Sequence, residues 1–218
     1  VTFKQRVIAA VVRQFGHPRG LGGRAAGWVM AHRRSNRQRS TWAASLLDVQ
    51  PGDRVLEVGF GPGVAIAELA GHTTEGRVYG IDHSELMLHK AYKRNAAAIR
   101  QERVELIRTS VDQLPRFDLP LDAILAVNNV GFWPDPAEQL HKLRNLLRPG
   151  GRIALASQPR CPGATKDTTI RAAQELRDLL TGAGFTAASV HTLDLDPPVA
   201  CVVATNPANG STGQLRRQ

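Results

Sequence analysis

The stretch Val55-Leu56-Glu57-Val58-Gly59-Phe60-Gly61-Pro62-Gly63 constrains this chain more than any other. An apolar run ends in glycines at alternate positions. Glycine adopts the left-handed backbone without steric cost and lets main-chain N–H groups approach a ligand with no side chain between. The pattern predicts a strand that turns sharply into a helix and floors a nucleotide-type pocket. A bare strand-to-helix turn is the competing reading, because an isolated glycine turn is a weak signal. Asp82 favours the pocket: it ends the second apolar run, 19 residues after Gly63, where a carboxylate accepts the hydroxyl protons of an adenosine ribose. The dinucleotide pattern GxGxxG fails at its last position, where Val64 stands, and no GK[ST] follows to make a triphosphate-binding loop.

From Asp53 onward, short β-branched runs alternate with helical stretches, the pattern of a parallel sheet with covering helices. Strands are expected near 54–59, 77–82, 104–108, 121–127, 151–157, 185–193 and 199–205. Helices are expected at 64–70, at 84–98 with Ser84 as N-cap, from Asp135-Pro136 to Arg148-Pro149-Gly150-Gly151, and at 169–181. The last two strands meet across Asp196-Pro197-Pro198 as an antiparallel hairpin. The polar tail 206–218 reads as disordered.

Hydrophobic residues at 42% and charged residues at 22% fit a folded domain rather than a disordered chain. The net charge of +9 is local: residues 1–47 carry nine Lys and Arg and neither Asp nor Glu, which leaves the body neutral. Two amphipathic helices, over 7–15 and 24–47, are expected there as a cap on the body, with Trp28, Val29, Trp42, Leu46 and Leu47 inward. The cluster Arg33, Arg34, Arg37 and Arg39 reads either as a solvated face or as a contact surface for nucleic acid, anionic lipid or an acidic substrate. The domain organisation expected is a basic cap at 1–47, a catalytic body at 48–205 and a tail at 206–218. Cys161 and Cys201 form no metal-type pair, and no apolar run is long enough for a membrane span. A cytoplasmic location, no metal and no disulfide are expected; a homodimer is allowed.

The region from Trp42 to Thr205 resembles the class I S-adenosylmethionine-dependent methyltransferases, especially the small bacterial group similar to quinone-biosynthesis methyltransferases. Glu57, Gly59, Gly61 and Gly63 match that family's E/DxGxGxG motif, Asp82 its ribose acid, and Leu147-Arg148-Pro149-Gly150-Gly151 its LxPGG turn. The resemblance implies an α/β, Rossmann-like, seven-stranded, mostly parallel sheet in the order 3-2-1-4-5-7-6, with strand 7 antiparallel and helices on both faces. It also implies S-adenosyl-L-methionine as cofactor. One position departs from the family: Ser110 stands where many relatives carry an Asp or Asn against the adenine amino group. Either the Ser110 hydroxyl substitutes, or the Val111 N–H and packing against His83 and Met87 hold the ring.

Sites in open α/β sheets lie beyond the carboxyl ends of the strands. That directs attention to Asn128, Asn129, Phe132 and Trp133 after the fourth strand and to Gln158 and Arg160 after the fifth. Asn128 is expected at the cofactor's methionine end; Asn129, Trp133, Gln158 and Arg160 are candidate acceptor contacts. For Phe132 and Trp133 a core role outweighs an aromatic wall, and for Arg160 solvated surface competes with a clamp on carboxylate or phosphate. No general base stands out, and His17 and His32 on the cap are the weak candidates. The motif residues of DNA exocyclic-amine, cytosine-carbon and magnesium-dependent catechol methyltransferases are missing at their places. The leading expectation is methyl transfer to O, N or C of a small metabolite. An RNA methyltransferase using the basic arm and a non-catalytic cofactor-binding protein are the alternatives.

Overall fold

The computed structural model describes residues 22–208, and side chains from 34 onward. The expected helix at 7–15 and the tail from 209 lie outside the described residues. Helix α1 spans Gly22–Ser45, α2 Val64–His72, α3 Glu85–Arg100, α4 Pro136–Leu146 and α5 Lys166–Gly182. The strands are β1 Arg54–Val58, β2 Arg77–Asp82, β3 Val104–Arg108, β4 Leu121–Val127, β5 Leu147–Ser157, β6 Thr186–Leu193 and β7 Val199–Thr205. They form one seven-stranded sheet in the order β3-β2-β1-β4-β5-β7-β6. Strand β7 runs antiparallel to both β5 and β6, and all other pairings are parallel.

Strand side chains alternate between faces, and the central strands are apolar on both. Leu56, Ile124 and Leu155 belong to one buried layer, with Leu140 and Leu143 of α4 and Leu180 of α5. Val55, Leu125 and Ala154 belong to the other, with Ile66 and Leu69 of α2, Ala91 of α3, and Ala43 and Ala44 of α1. The last turns of α1 are thus part of the body's own core, packed on α2, β4 and β5. No described helix is long and apolar enough to cross a membrane.

Helix starts follow their caps. Ser84 Oγ accepts the Met87 N–H at 3.4 Å, and Asp135 Oδ1 accepts the Glu138 N–H at 3.2 Å with Pro136 next in line. Three differences from the sequence-based expectation have a clear physical cause. Helix α5 begins at Lys166 rather than 169, because Thr165 and Thr168 cap each other reciprocally. Strand β5 begins at Leu147, opposite Leu121, and carries the Pro149-Gly150-Gly151 turn as a shift of register before Arg152 pairs with Ala123. Asn206 is no part of a loose tail. Its Nδ2 donates to the carbonyls of Leu147 at 2.9 Å, Arg148 at 3.2 Å and Arg144 at 3.3 Å, which fastens that turn to the end of β7.

Candidate active site

The glycine turn leaves β1 with Gly59, Gly61 and Gly63 all at positive φ, so each sits where L side chains are strained. Two of them also have no room for a side chain. A Cβ on Gly59 would strike the Asn129 amide, and one on Gly63 would meet Asn95 Nδ2 at 2.6 Å and the Ala91 Cβ at 2.8 Å. Gly61 differs: a Cβ there meets nothing within 4 Å, so the middle of the turn faces open space. Helix α3 holds the far side of the turn, with Arg94 Nε donating to the Pro62 carbonyl at 2.9 Å and Asn95 Nδ2 to the Gly63 carbonyl at 3.1 Å.

Asp82, at the tip of β2, fixes the near side. Its Oδ2 accepts the Gly61 N–H at 2.8 Å and its Oδ1 the Ser84 N–H at 2.9 Å. Each carboxylate oxygen has a further lone pair for a ligand hydroxyl. Glu57 is enclosed behind the turn, 3% exposed, with Oε2 lacking a hydrogen-bond partner. Burial, and then the charge of Asp82, push its carboxyl well above the usual range, opposed by the Ile66 N–H that it accepts. Ile66 is the third residue of α2, so Glu57 satisfies an amide at a helix start whose N-cap, Gly63, has no side chain to do so.

Next to this half-site, Ser110 precedes the short 3-10 turn Val111–Gln113, and its hydroxyl donates to Asp112 Oδ1 at 2.5 Å. That bond, together with the backbone, holds the exposed Asp112 carboxyl below its usual range. Val111 is buried, Met87 half-buried, and His83 exposed with Nδ1 3.8 Å from Asp82 Oδ1.

The tips of β4 and β5 are tied together. Asn128 Oδ1 accepts the Gln158 N–H at 2.6 Å, and Asn129 Nδ2 donates to the Val58 carbonyl. Trp133 is 8% exposed and lies in the core, whereas Phe132, assigned with it to the core from sequence, is 52% exposed. The two neighbours flank the end of the short turn Val130–Phe132. Gln158 is buried and engaged: its Oε1 accepts from Arg39 Nη1 at 2.6 Å and from Ser35 Oγ at 3.4 Å, and its Nε2 donates to the Pro197 carbonyl at 2.7 Å.

Arg39 corrects the reading that placed it with a solvated cluster. Arg34 and Arg37 are exposed, but Arg39 is 4% exposed. A signal was available, since Arg39 lies four residues before Ala43 and eight before Leu47, on the stripe that faces the core. Asn95 was also missed; it falls four residues after Ala91, on the face of α3 toward the turn. Arg160, half-buried, follows Gln158 in the same loop. His17 lies outside the described residues, as does the side chain of His32.

The site thus has two halves. The tips of β1 and β2 carry an open glycine turn braced by a carboxylate, which fits an adenosine-bearing cofactor. The tips of β4 and β5 carry amides, met by the buried Arg39 of α1 and followed by the half-buried Arg160.

Comparison with known proteins gives the family. A family described as "Methyltransferase domain" matches residues 55–151, the span from the glycine turn to the Pro-Gly-Gly turn. The chain is 30% identical over 184 residues to the uncharacterized methyltransferase YdaC of Bacillus subtilis (strain 168), covering 84% of this chain and 98% of that protein. It is 33% identical over 117 residues to a demethylmenaquinone methyltransferase of Bacillus mycoides, a match spanning 52% of this chain and 49% of that enzyme. Among solved structures, an S-adenosylmethionine-dependent methyltransferase from Aquifex aeolicus superposes with a TM-score of 0.59 at 22% identity, over 72% of this chain and 83% of that one. With the sheet order, the glycine turn and the full-length relative pointing the same way, the chain belongs to the class I S-adenosylmethionine-dependent methyltransferases.

Proposed function

We propose that this enzyme transfers a methyl group by in-line displacement to O, N or C of a small-molecule acceptor. When bound, S-adenosylmethionine supplies a methyl group already activated on a sulfonium centre. The chain's own task is then alignment, exclusion of water and, for some acceptors, removal of a proton. In this reading Gly59, Gly61 and Gly63 shape the floor, Asp82 binds the ribose hydroxyls, and Glu57 keeps the turn and α2 in register from behind. His83, Met87, Ser110 and Val111 border the adenine, and Asn128 the methionine end. A cytoplasmic location belongs to the same reading.

The observation that carries the small-molecule assignment is the contact between α1 and β5. Arg39 and Ser35 reach Gln158 at the strand's carboxyl end, so α1 crosses the acceptor side of the site and narrows the approach. A metabolite fits beneath such a cover more readily than a polynucleotide. The partial matches to a demethylmenaquinone methyltransferase and to the 27-O-demethylrifamycin SV methyltransferase of Amycolatopsis mediterranei, both named for small acceptors, support it. RNA is the second reading, favoured by the exposure of Arg34 and Arg37.

Incubation of the enzyme with radiolabelled cofactor, and separately with a metabolite extract and with total RNA, tests the two. Label is expected in the small-molecule fraction. Label in RNA that is lost when Arg34 and Arg37 are both changed to Gln would reverse the assignment.

A further inference from the structure

Among the described residues the buried Arg39 has no countercharge. Its Nη1 donates to Gln158 Oε1, its Nη2 to Asn36 Oδ1, and its Nε is enclosed without a hydrogen-bond partner. Both acceptors are neutral amides, and no ion pair of the described residues includes Arg39 or Arg160. Nor can an undescribed side chain supply the charge, because every Asp and Glu of the sequence lies between positions 48 and 196. Arg160 is near enough for its charge to act on Arg39: burial first, and then Arg160, pull the Arg39 guanidinium down to about 9, and it remains a cation at neutral pH. Burial lowers Arg160 as well. Arg160 stands two residues after Gln158, to which Arg39 donates, so two cations share a partly buried corner with no carboxylate paired to either among the described residues, an arrangement that costs free energy until an anion arrives.

The location says which anion. The cofactor half of the site is at the tips of β1 and β2, around Gly61 and Asp82. Arg39 is anchored across the sheet, on Gln158 at the end of β5, and Gln158 is itself anchored on Pro197 in the loop between β6 and β7. The guanidinium plane offers paired N–H donors that match the oxygens of a carboxylate or phosphate. We propose that Arg39 and Arg160 receive the anionic group of the methyl acceptor, a carboxylate or phosphate, and that Gln158 positions Arg39 for it. This rests on the small-molecule reading above and narrows it: the substrate is an acid.

The test uses the full chain, with S-adenosylhomocysteine present and absent, and ligand-observed NMR titration with benzoate, inorganic phosphate and the neutral benzamide. Saturable binding of benzoate or phosphate, but not of benzamide, is expected. Arg160→Gln should weaken it about tenfold or more, as loss of a charge-assisted contact does. The same variant should leave the calorimetric affinity for S-adenosylhomocysteine within about twofold of the wild type. Among the described residues Arg160 has no hydrogen-bond or ion-pair partner, so this variant is expected to keep the fold, which its melting temperature checks; Arg39→Lys, which retains the charge, should fall between the two. Benzamide binding as well as benzoate, no saturable binding of either anion, or an unchanged anion affinity in Arg160→Gln would overturn the proposal. A parallel loss of S-adenosylhomocysteine affinity would overturn it too, by assigning the pair to the cofactor's own carboxylate. Anion binding without label transfer to any small molecule would leave the anion site standing and remove the small-molecule reading instead.

Discussion

Asn129 occupies the space that a side chain at position 59 would need. Its amide donates to the Val58 carbonyl, directly against the Gly59 Cα, and so links the tip of β4 to the last residue of β1. The glycine turn and the loop after β4 are thereby in contact, and the glycine at 59 serves this fit as much as it serves the turn.

Gly59→Ala should therefore be costly twice, through a left-handed backbone strain of about 1–2 kcal/mol and through displacement of Asn129. Lower thermal stability and a weaker calorimetric affinity for S-adenosylmethionine are expected. In the double variant Gly59→Ala/Asn129→Ala the steric part is relieved, so the combined loss should be smaller than the sum of the two single losses. Strict additivity would show that the residues do not compete for the space.

Asp82→Ala should weaken both S-adenosylmethionine and its demethylated product by roughly 1.5–3 kcal/mol, the worth of a buried charge-assisted contact. The turn should loosen at the same time, because the Gly61 and Ser84 amides lose their acceptor. Calorimetry with each ligand checks this, and unchanged affinities would remove the assigned role.

Glu57 gives a pH dependence of known sign. Its carboxyl is raised well above the ordinary 4.5 in the folded chain, so the folded state retains a proton that the unfolded state has released. The contribution of Glu57 to stability is then fully present below 4.5 and is lost as pH rises from there through the folded value. Glu57→Gln does not titrate. Its melting temperature relative to the wild type should climb with pH across that window and be level below it; a pH-independent offset would contradict the assignment.

Cys201 is fully buried and its thiol is pushed up to about 12 by that burial, while Cys161 is exposed. An alkylating reagent at pH 8 should modify Cys161 alone in the native protein and both residues in denaturant, as mass spectrometry of the two peptides will report. Native modification of Cys201 would mean that β7 opens.

The central strands β1 and β4 were legible because they are short apolar runs buried on both faces. The Thr165 cap was not, since a threonine reads as well in a loop as before a helix, and only the reciprocal bond with Thr168 distinguishes the two. Within the site, the glycines and Asp82 declare themselves because their chemistry needs those residue types at that spacing. Arg39 does not, because charge and helical spacing give opposite answers at that position. Counted with Arg34 and Arg37 it looks solvated; counted with Ala43 and Leu47 it faces inward, and the neutral partners that accept it, Gln158 and Asn36, carry no signature of their own.

Gln158 joins three segments of chain that are far apart in sequence: α1 through Arg39 and Ser35, the tip of β4 through Asn128, and the β6–β7 loop through Pro197. For protein engineering this marks a natural boundary for a library. Randomising positions 35, 36, 39, 158 and 160 searches one pole of the enzyme for new acceptors. The glycine turn, proposed above to hold the methyl donor, is outside that search, so variants emerging from it should keep that turn intact and differ only in what they alkylate.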